Sequence, residues 1–106
     1  MELESPPPTG KYAKRTWTQI TTDAESARRL TVTDRERGMQ KFAELLKTHP
    51  NEPMIVFKRG QALAELGDRE GAKRDFAVAA AKFPMEKWKR IAEDAARRVE
   101  QEERSR

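Results

Sequence analysis

The only histidine in the chain, His49, is the first residue to consider for chemistry, because imidazole is often used for acid–base catalysis and for binding zinc. It stands directly before Pro50, and no partner residue lies at a recognised catalytic or metal-binding spacing from it. The chain has no cysteine, which excludes thiolate ligands and cysteine nucleophiles. We therefore interpret His49 as a loop residue without a catalytic role.

Glycine-rich loops that bind phosphate are a second kind of chemical site. The glycines at positions 60, 67 and 71 lack the spacing of such a loop and the Lys-Ser/Thr dipeptide that ends it. Acidic side chains are plentiful, but they fall on helical faces predicted to be exposed, where ion pairing is their ordinary role. We expect no enzymatic activity, no metal ion and no cofactor.

A short stretch near the start mixes cations with aromatic rings, the combination that binds single-stranded nucleic acid. Its members are Lys11, Tyr12, Lys14, Arg15 and Trp17. In a second interpretation, which we prefer, Trp17 and Ile20 pack on the first helices while the cations stay in water. Residues 1–16, which include three consecutive prolines, are predicted to form a disordered arm.

The net charge of +4 is spread along the chain rather than concentrated. Residues 1–33, 34–50, 51–84 and 85–106 each carry a net charge of +1, because acidic and basic side chains are mixed within every segment. Proteins that bind nucleic acid usually gather their cations on one face. Nucleic-acid binding therefore stays a second hypothesis.

The size and composition limit the elements that could position a site. A chain of 106 residues, of which 36% are hydrophobic and 38% charged, forms one compact unit with a thin core or a core completed by a neighbour. No apolar run approaches the roughly 20 residues that cross a bilayer, and the start lacks the features of a secretory signal. We expect a cytoplasmic protein that does not enter a membrane.

Apolar residues recur every three or four positions, the spacing of helices, and no alternating strand pattern occurs, so the fold class is all-α. A first short helix is predicted after the cap candidates at 21–23, and the β-branched run at 31–33 favours its end. Thr33 and Glu36 have the spacing of a capping box, which predicts a second helix from Asp34 to the His49-Pro50 dipeptide.

Proline and glycine mark the ends of the remaining helices. Pro53 suits the first turn of a third helix, and Gly67 suits the residue after its end. A fourth helix is predicted to open at Asp68 and to stop before Pro84, and a fifth to begin at about Glu86.

Residues 34–50 return in altered form as residues 68–84. An alignment without gaps gives six identities in seventeen positions, among them Asp34 with Asp68, Phe42 with Phe76, and Pro50 with Pro84. The distance of thirty-four residues is the period of a helix-turn-helix repeat.

This repeat resembles the tetratricopeptide-repeat (TPR) family. The matching positions of the second unit are Gly60, Leu63, Gly67, Ala72, Phe76, Ala79 and Pro84, and those of the first are Gly38, Phe42, Leu45 and Pro50. The resemblance implies an α-α superhelix of about five antiparallel helices over 17–104. Residues 17–50 would form a degenerate repeat, 51–84 a repeat and 85–104 a capping helix.

The first unit departs from the family pattern. In strict register its inward positions are Thr22, Glu25, Ser26 and Arg29, of which only Ser26 suits a core. A slip of one residue would turn Ala24, Ala27 and Leu30 inward instead. In the second unit, Arg59 stands at a position that is usually not charged.

By resemblance, the chain binds a peptide or helix of another protein in a groove. The residues predicted to line that groove are Met54, Phe57, Lys58, Gln61, Glu65, Trp88 and Arg98. An equally weighted interpretation is that Phe57 and Trp88 complete a small core. Since about three repeats are normally needed for stability, a homodimer is a third hypothesis.

Overall fold

The computed structural model describes residues 14–104, and these form five α-helices. Their bounds are α1 (Lys14–Thr33), α2 (Arg35–Thr48), α3 (Pro53–Glu65), α4 (Arg69–Lys82) and α5 (Glu86–Arg104). No strand occurs within this described part, and the predicted all-α class is confirmed. None of the helices in it is both long and apolar enough to span a bilayer.

Helix α1 is longer than the sequence predicts at both ends. It already includes residues 14–16, which we had assigned to a disordered arm, and it continues through the β-branched residues 31–33. Thr31 is tolerated there because its hydroxyl donates a hydrogen bond to the carbonyl of Ala27 at 2.7 Å. The prediction of a short helix beginning after 21–23 is therefore wrong.

The buried face of α1 follows the slipped register rather than the strict one. Its buried residues recur at helical spacing: Trp17, Ile20, Ala24, Ala27 and Thr31. Thr22, Ser26 and Arg29, which strict register would turn inward, are exposed. The first helix thus aligns with the later repeat only after a shift.

Aspartates cap both helices that begin the repeated segment. The Asp34 carboxylate accepts a hydrogen bond from the Arg37 amide at 3.3 Å, and the Asp68 carboxylate accepts one from the Gly71 amide at 3.0 Å. The predicted Thr33–Glu36 capping box is wrong, because Thr33 ends α1. The identity of Asp34 and Asp68 in the two segments is explained by this shared N-cap.

Asp68 of the second repeated segment also forms an ion pair with the first segment. Arg35 at the start of α2 donates to the Asp68 carboxylate at 2.9 Å. The hydrogen bond from the Gly71 amide, with the pairing to Arg35, holds the pKa of Asp68 below its usual value.

The other predicted helix ends agree with the structure. Pro53 is the first residue of α3, and Gly67 follows α3 with a φ of 85°, a conformation that favours glycine. Helix α4 ends before Pro84, and α5 begins at Glu86.

The helices pack as successive hairpins. α3 and α4 run antiparallel, since Arg59 faces Asp75 while Leu63 approaches Gly71. α1 packs on both α2 and α3, and α5 packs on α4. α1 and α3 run parallel, because successive positions of α1 pair with successive positions of α3.

Small residues allow the closest approaches within the hairpins. A Cβ atom added to Gly38 would overlap the backbone of Thr31, and one added to Gly60 would lie 2.8 Å from the Phe76 ring. The aromatic rings of Phe42 and Phe76 are both buried, as the repeat predicts. Glycine and phenylalanine therefore fill complementary roles at these contacts.

Candidate functional site

Arg59 of α3 forms an ion pair with Asp75 of α4, within the hairpin of these two helices. Its Nε lies 2.8 Å from Asp75 Oδ2 and its Nη2 lies 3.0 Å from Asp75 Oδ1. The Asp75 hydrogen bonds raise the pKa of Arg59, against the opposing effect of burial. This bidentate pair joins α3 to α4, so the charge has a structural role.

An ion-pair network crosses from α1 to α3. Glu25 accepts hydrogen bonds from Arg28 at 2.6 Å and from Lys58 Nζ at 2.9 Å, and Arg28 also pairs with Glu65. The hydrogen bond from Arg28, assisted by Lys58 and opposed by burial, lowers the pKa of Glu25 from 4.5 to about 2. Two predicted groove residues, Lys58 and Glu65, are thus engaged within the molecule.

This network makes α1–α3 docking pH-dependent. Because the pKa of Glu25 is depressed, its contribution to stability is complete above pH 4.5 and is lost as the pH falls toward about 2. We expect Glu25→Gln to melt at a lower temperature than the wild type at neutral pH, and the difference to shrink through that window. Circular dichroism melts over the pH range measure this.

The matched control is Glu44→Gln, which removes an exposed carboxylate that forms no ion pair with residues 14–104. Its melting temperature should follow the wild type at every pH. A wild-type profile that is flat across the acid window would contradict the assigned network.

A cleft of about 380 Å³ opens between α3, α4 and α5, and we call it the α3–α5 cleft. The residues that line it are Gln61, Ala64, Glu65, Phe76, Ala95, Arg98, Val99 and Glu102. Helical spacing brings these side chains together, since 61 and 65 are one turn apart on α3, and 95, 98 and 102 recur on α5. Pockets of this size receive side chains or small ligands.

The cleft combines apolar lining with polar groups that have no internal partner. Ala64, Ala95, Val99 and the edge of Phe76 supply the apolar surface. Within residues 14–104, the side chains of Gln61, Arg98 and Glu102 form no hydrogen bond or ion pair. The cleft can therefore accept an apolar group beside groups that bind Arg98 or Glu102.

Three of the seven predicted groove residues meet in this cleft, namely Gln61, Glu65 and Arg98. Met54 and Phe57 lie in the core, so neither can contact a ligand in this conformation. Half-buried Trp88 stacks on Phe83 with ring centroids 5.7 Å apart. For Phe57, the interpretation as a core residue is the one that agrees with the structure.

Five lining residues were not among the predicted groove residues, namely Ala64, Phe76, Ala95, Val99 and Glu102. Positions 95, 98, 99 and 102 have the spacing of one helical face, which was the available signal.

One residue of the stretch that was predicted as a possible nucleic-acid site lies in the core. Trp17 is only 3% exposed and packs in the same core cluster as Met54 and Phe57, so its ring cannot stack on a base in this conformation. Lys11 and Tyr12 lie outside the described residues. Of Lys14 and Arg15, only the helical backbone is described.

Neither a family model, a curated protein nor a solved structure matches the chain. The described residues also include no group of three or more histidine, aspartate or glutamate side chains that could hold a metal ion. His49 follows α2 as its C-cap residue, and its amide donates to the Leu45 carbonyl at 2.8 Å. The α3–α5 cleft is thus the feature from which a function can be argued.

Proposed function

We propose that the chain is a cytoplasmic, TPR-like adaptor without enzymatic activity, which binds a peptide or helix of another protein in the α3–α5 cleft. The observation that carries this proposal is the cleft itself, where apolar lining lies beside Gln61, Arg98 and Glu102 without internal partners. A peptide can bury one apolar side chain there and place polar groups against Arg98 and Glu102.

The TPR-like arrangement is supported by the order of packing. Two hairpins with a period of thirty-four residues follow each other, and their first helices, α1 and α3, lie side by side and parallel. In such arrays, the first helices of the repeats line the binding groove. The cleft lies between α3 and α5, the first helix of the second unit and the helix that follows that unit; α5 packs mainly on α4, which leaves the cleft open beside α3.

Helix α5 fits the role of a cap. One period after Gly60 and Leu63, which are buried against α4, the chain has Asp94 and Arg97, and both are exposed. These two side chains form an ion pair with each other, and a further hairpin would have to bury that pair, whose desolvation can exceed its Coulombic gain. Repeat arrays typically end in a polar face of this kind.

Arg98→Glu is the direct test of the cleft. After the partner is captured from the native lysate and purified, we expect this variant to bind at least about tenfold more weakly, because an acidic group of the ligand would meet a like charge. Titration calorimetry measures the affinity. The matched control is Lys87→Glu, the same charge change on an exposed residue of α5 that does not line the cleft.

Equal weakening by both variants would show a general charge effect and would refute the cleft. Binding of DNA or RNA that weakens steeply with salt would favour the nucleic-acid hypothesis instead. A sedimentation mass of twice 12.2 kDa, with helicity lost on dilution, would favour self-association.

A further inference from the structure

A second depression, which we call the α4–α5 groove, is separate from the cleft and has a volume of about 370 Å³. Its lining residues are Phe76, Ala77, Ala80, Ala81, Lys89, Glu93 and Ala96. Only Phe76 is shared with the α3–α5 cleft. The groove therefore needs an explanation of its own.

The internal repeat shows how the groove arises. In the alignment of residues 34–50 with 68–84, Leu46 of α2 corresponds to Ala80 of α4, and Ile55 lies one period before Lys89. Leu46 packs against buried residues of the core, and Ile55 is fully buried. One repeat period earlier, α2 and α3 thus carry two large apolar side chains where α4 and α5 carry an alanine and a lysine.

The exposed face of α4 beside the groove is less charged than the corresponding face of α2. Glu44 and Lys47 are exposed charges on α2, and their counterparts on α4 are Val78 and Ala81. Val78, at 42% exposure, is the most exposed large hydrophobic residue in the described part of the chain. A helix that only faced water would gain nothing from this replacement of charge by apolar surface.

The charged groups around the groove are predominantly basic. Lys89 lines it, while Arg74 and Lys82 lie one turn before and after Val78 on α4. Within residues 14–104, none of these three cations forms an ion pair. Glu93 also lines the groove, whereas Glu70 and Glu86, one turn before Arg74 and Lys89, pair with Lys73 and Arg90. The unpaired charges around the groove are therefore mostly basic.

We propose that the α4–α5 groove docks an acidic amphipathic helix of a partner protein. Alanines 77, 80 and 81 let a helix approach closely, and the exposed Val78, one turn before Ala81 on α4, adds apolar surface beside the groove. Carboxylates on the flanks of that helix pair with Arg74, Lys82 and Lys89. The site is independent of the α3–α5 cleft and does not rest on the function proposed for it.

The test uses a capped synthetic peptide of about 18 residues, with leucine and alanine along one helical face and glutamate elsewhere. A second peptide has lysine in place of every glutamate. Fluorescence anisotropy measures both affinities, and amide chemical shifts locate the contact. We expect the acidic peptide to bind at least about tenfold more tightly than the basic one, with the shifts centred on 77–81 and on Ala96.

The decisive variant is Val78→Glu with Ala81→Lys, which restores the residues of the first unit without changing the net charge. We expect it to fold like the wild type and to bind the acidic peptide about tenfold more weakly. Gln61→Ala, in the other cleft, should leave this affinity unchanged. Lys89→Gln should weaken binding more than Lys41→Gln, which removes an exposed cation that does not line the groove.

Four outcomes would overturn the proposal. Equal affinity for the two peptides would remove the charge argument, and unaltered binding by a folded double variant would remove the groove. Chemical shifts confined to the α3–α5 cleft would place the peptide elsewhere. A wild-type dimer that the double variant converts to a monomer would show that a second copy of the chain covers this face.

Discussion

Replacing Phe76 by alanine should lower the free energy of unfolding by about 3 to 5 kcal/mol, the usual cost of deleting a buried aromatic ring. The side chain is 2% exposed, and its ring centroid lies 5.5 Å from that of Phe57. It also approaches Gly60 closely and borders both depressions of the surface.

Thermal and urea denaturation followed by circular dichroism measure this loss, which should lower the melting temperature by more than roughly 10 °C. Val78→Ala is the matched control, since Val78 lies on the same helix and is largely exposed. It should change stability by less than about 0.5 kcal/mol. Similar melting temperatures for wild type and Phe76→Ala would mean that the ring is not in the core.

Helix ends could be predicted wherever one residue decides them. Pro53 and Gly67 act through their own backbone geometry, and Asp68 acts through a local hydrogen bond. The equivalent cap at Asp34 was assigned to Thr33 instead. The end of α1 could not be predicted in this way. Its β-branched residues disfavour a helix locally, but Thr31 is held by a back-donated hydrogen bond and by contact with Gly38, which is a tertiary effect.

The candidate site was harder to predict than the fold. Whether Phe57 points to a groove or to a core depends on the helices around it, and here the rings of Phe76 and Phe83 lie 5.5 and 6.3 Å from it. Arg98 and Gln61 could be placed because long polar side chains on an outer face stay near the surface. Family position alone does not distinguish these two cases.

Two of the ion pairs between helices join residues about one repeat period apart. Glu25 pairs with Lys58 and Arg35 with Asp68, both at a separation of 33 residues. Residues one period apart occupy neighbouring positions when successive units lie side by side. The interleaved charges that argued against a nucleic-acid surface are thus partly used to join successive units.

The second large loss of stability is expected for Gly38→Ala, at the close contact between α1 and α2. A Cβ atom at position 38 would overlap the Cα and amide nitrogen of Thr31, and backbone atoms cannot rotate away. Separating α1 from α2 should cost about 3 kcal/mol, which exceeds the roughly 1 kcal/mol that alanine gains in helix propensity. Urea denaturation of the variant measures the net loss.

Two further variants test whether the effect of Gly38→Ala comes from the contact between the two backbones. Gly71→Ala should cost less than Gly38→Ala, because the nearest atoms to a new Cβ lie 3.0 Å away in the Asp68 and Leu63 side chains, rather than 2.3 Å away in a backbone. Adding Thr31→Ala to Gly38→Ala should restore little stability, since it removes the Thr31 hydroxyl but leaves its Cα in place. Full recovery in that double variant would mean that side chains, rather than the two backbones, set the distance between α1 and α2.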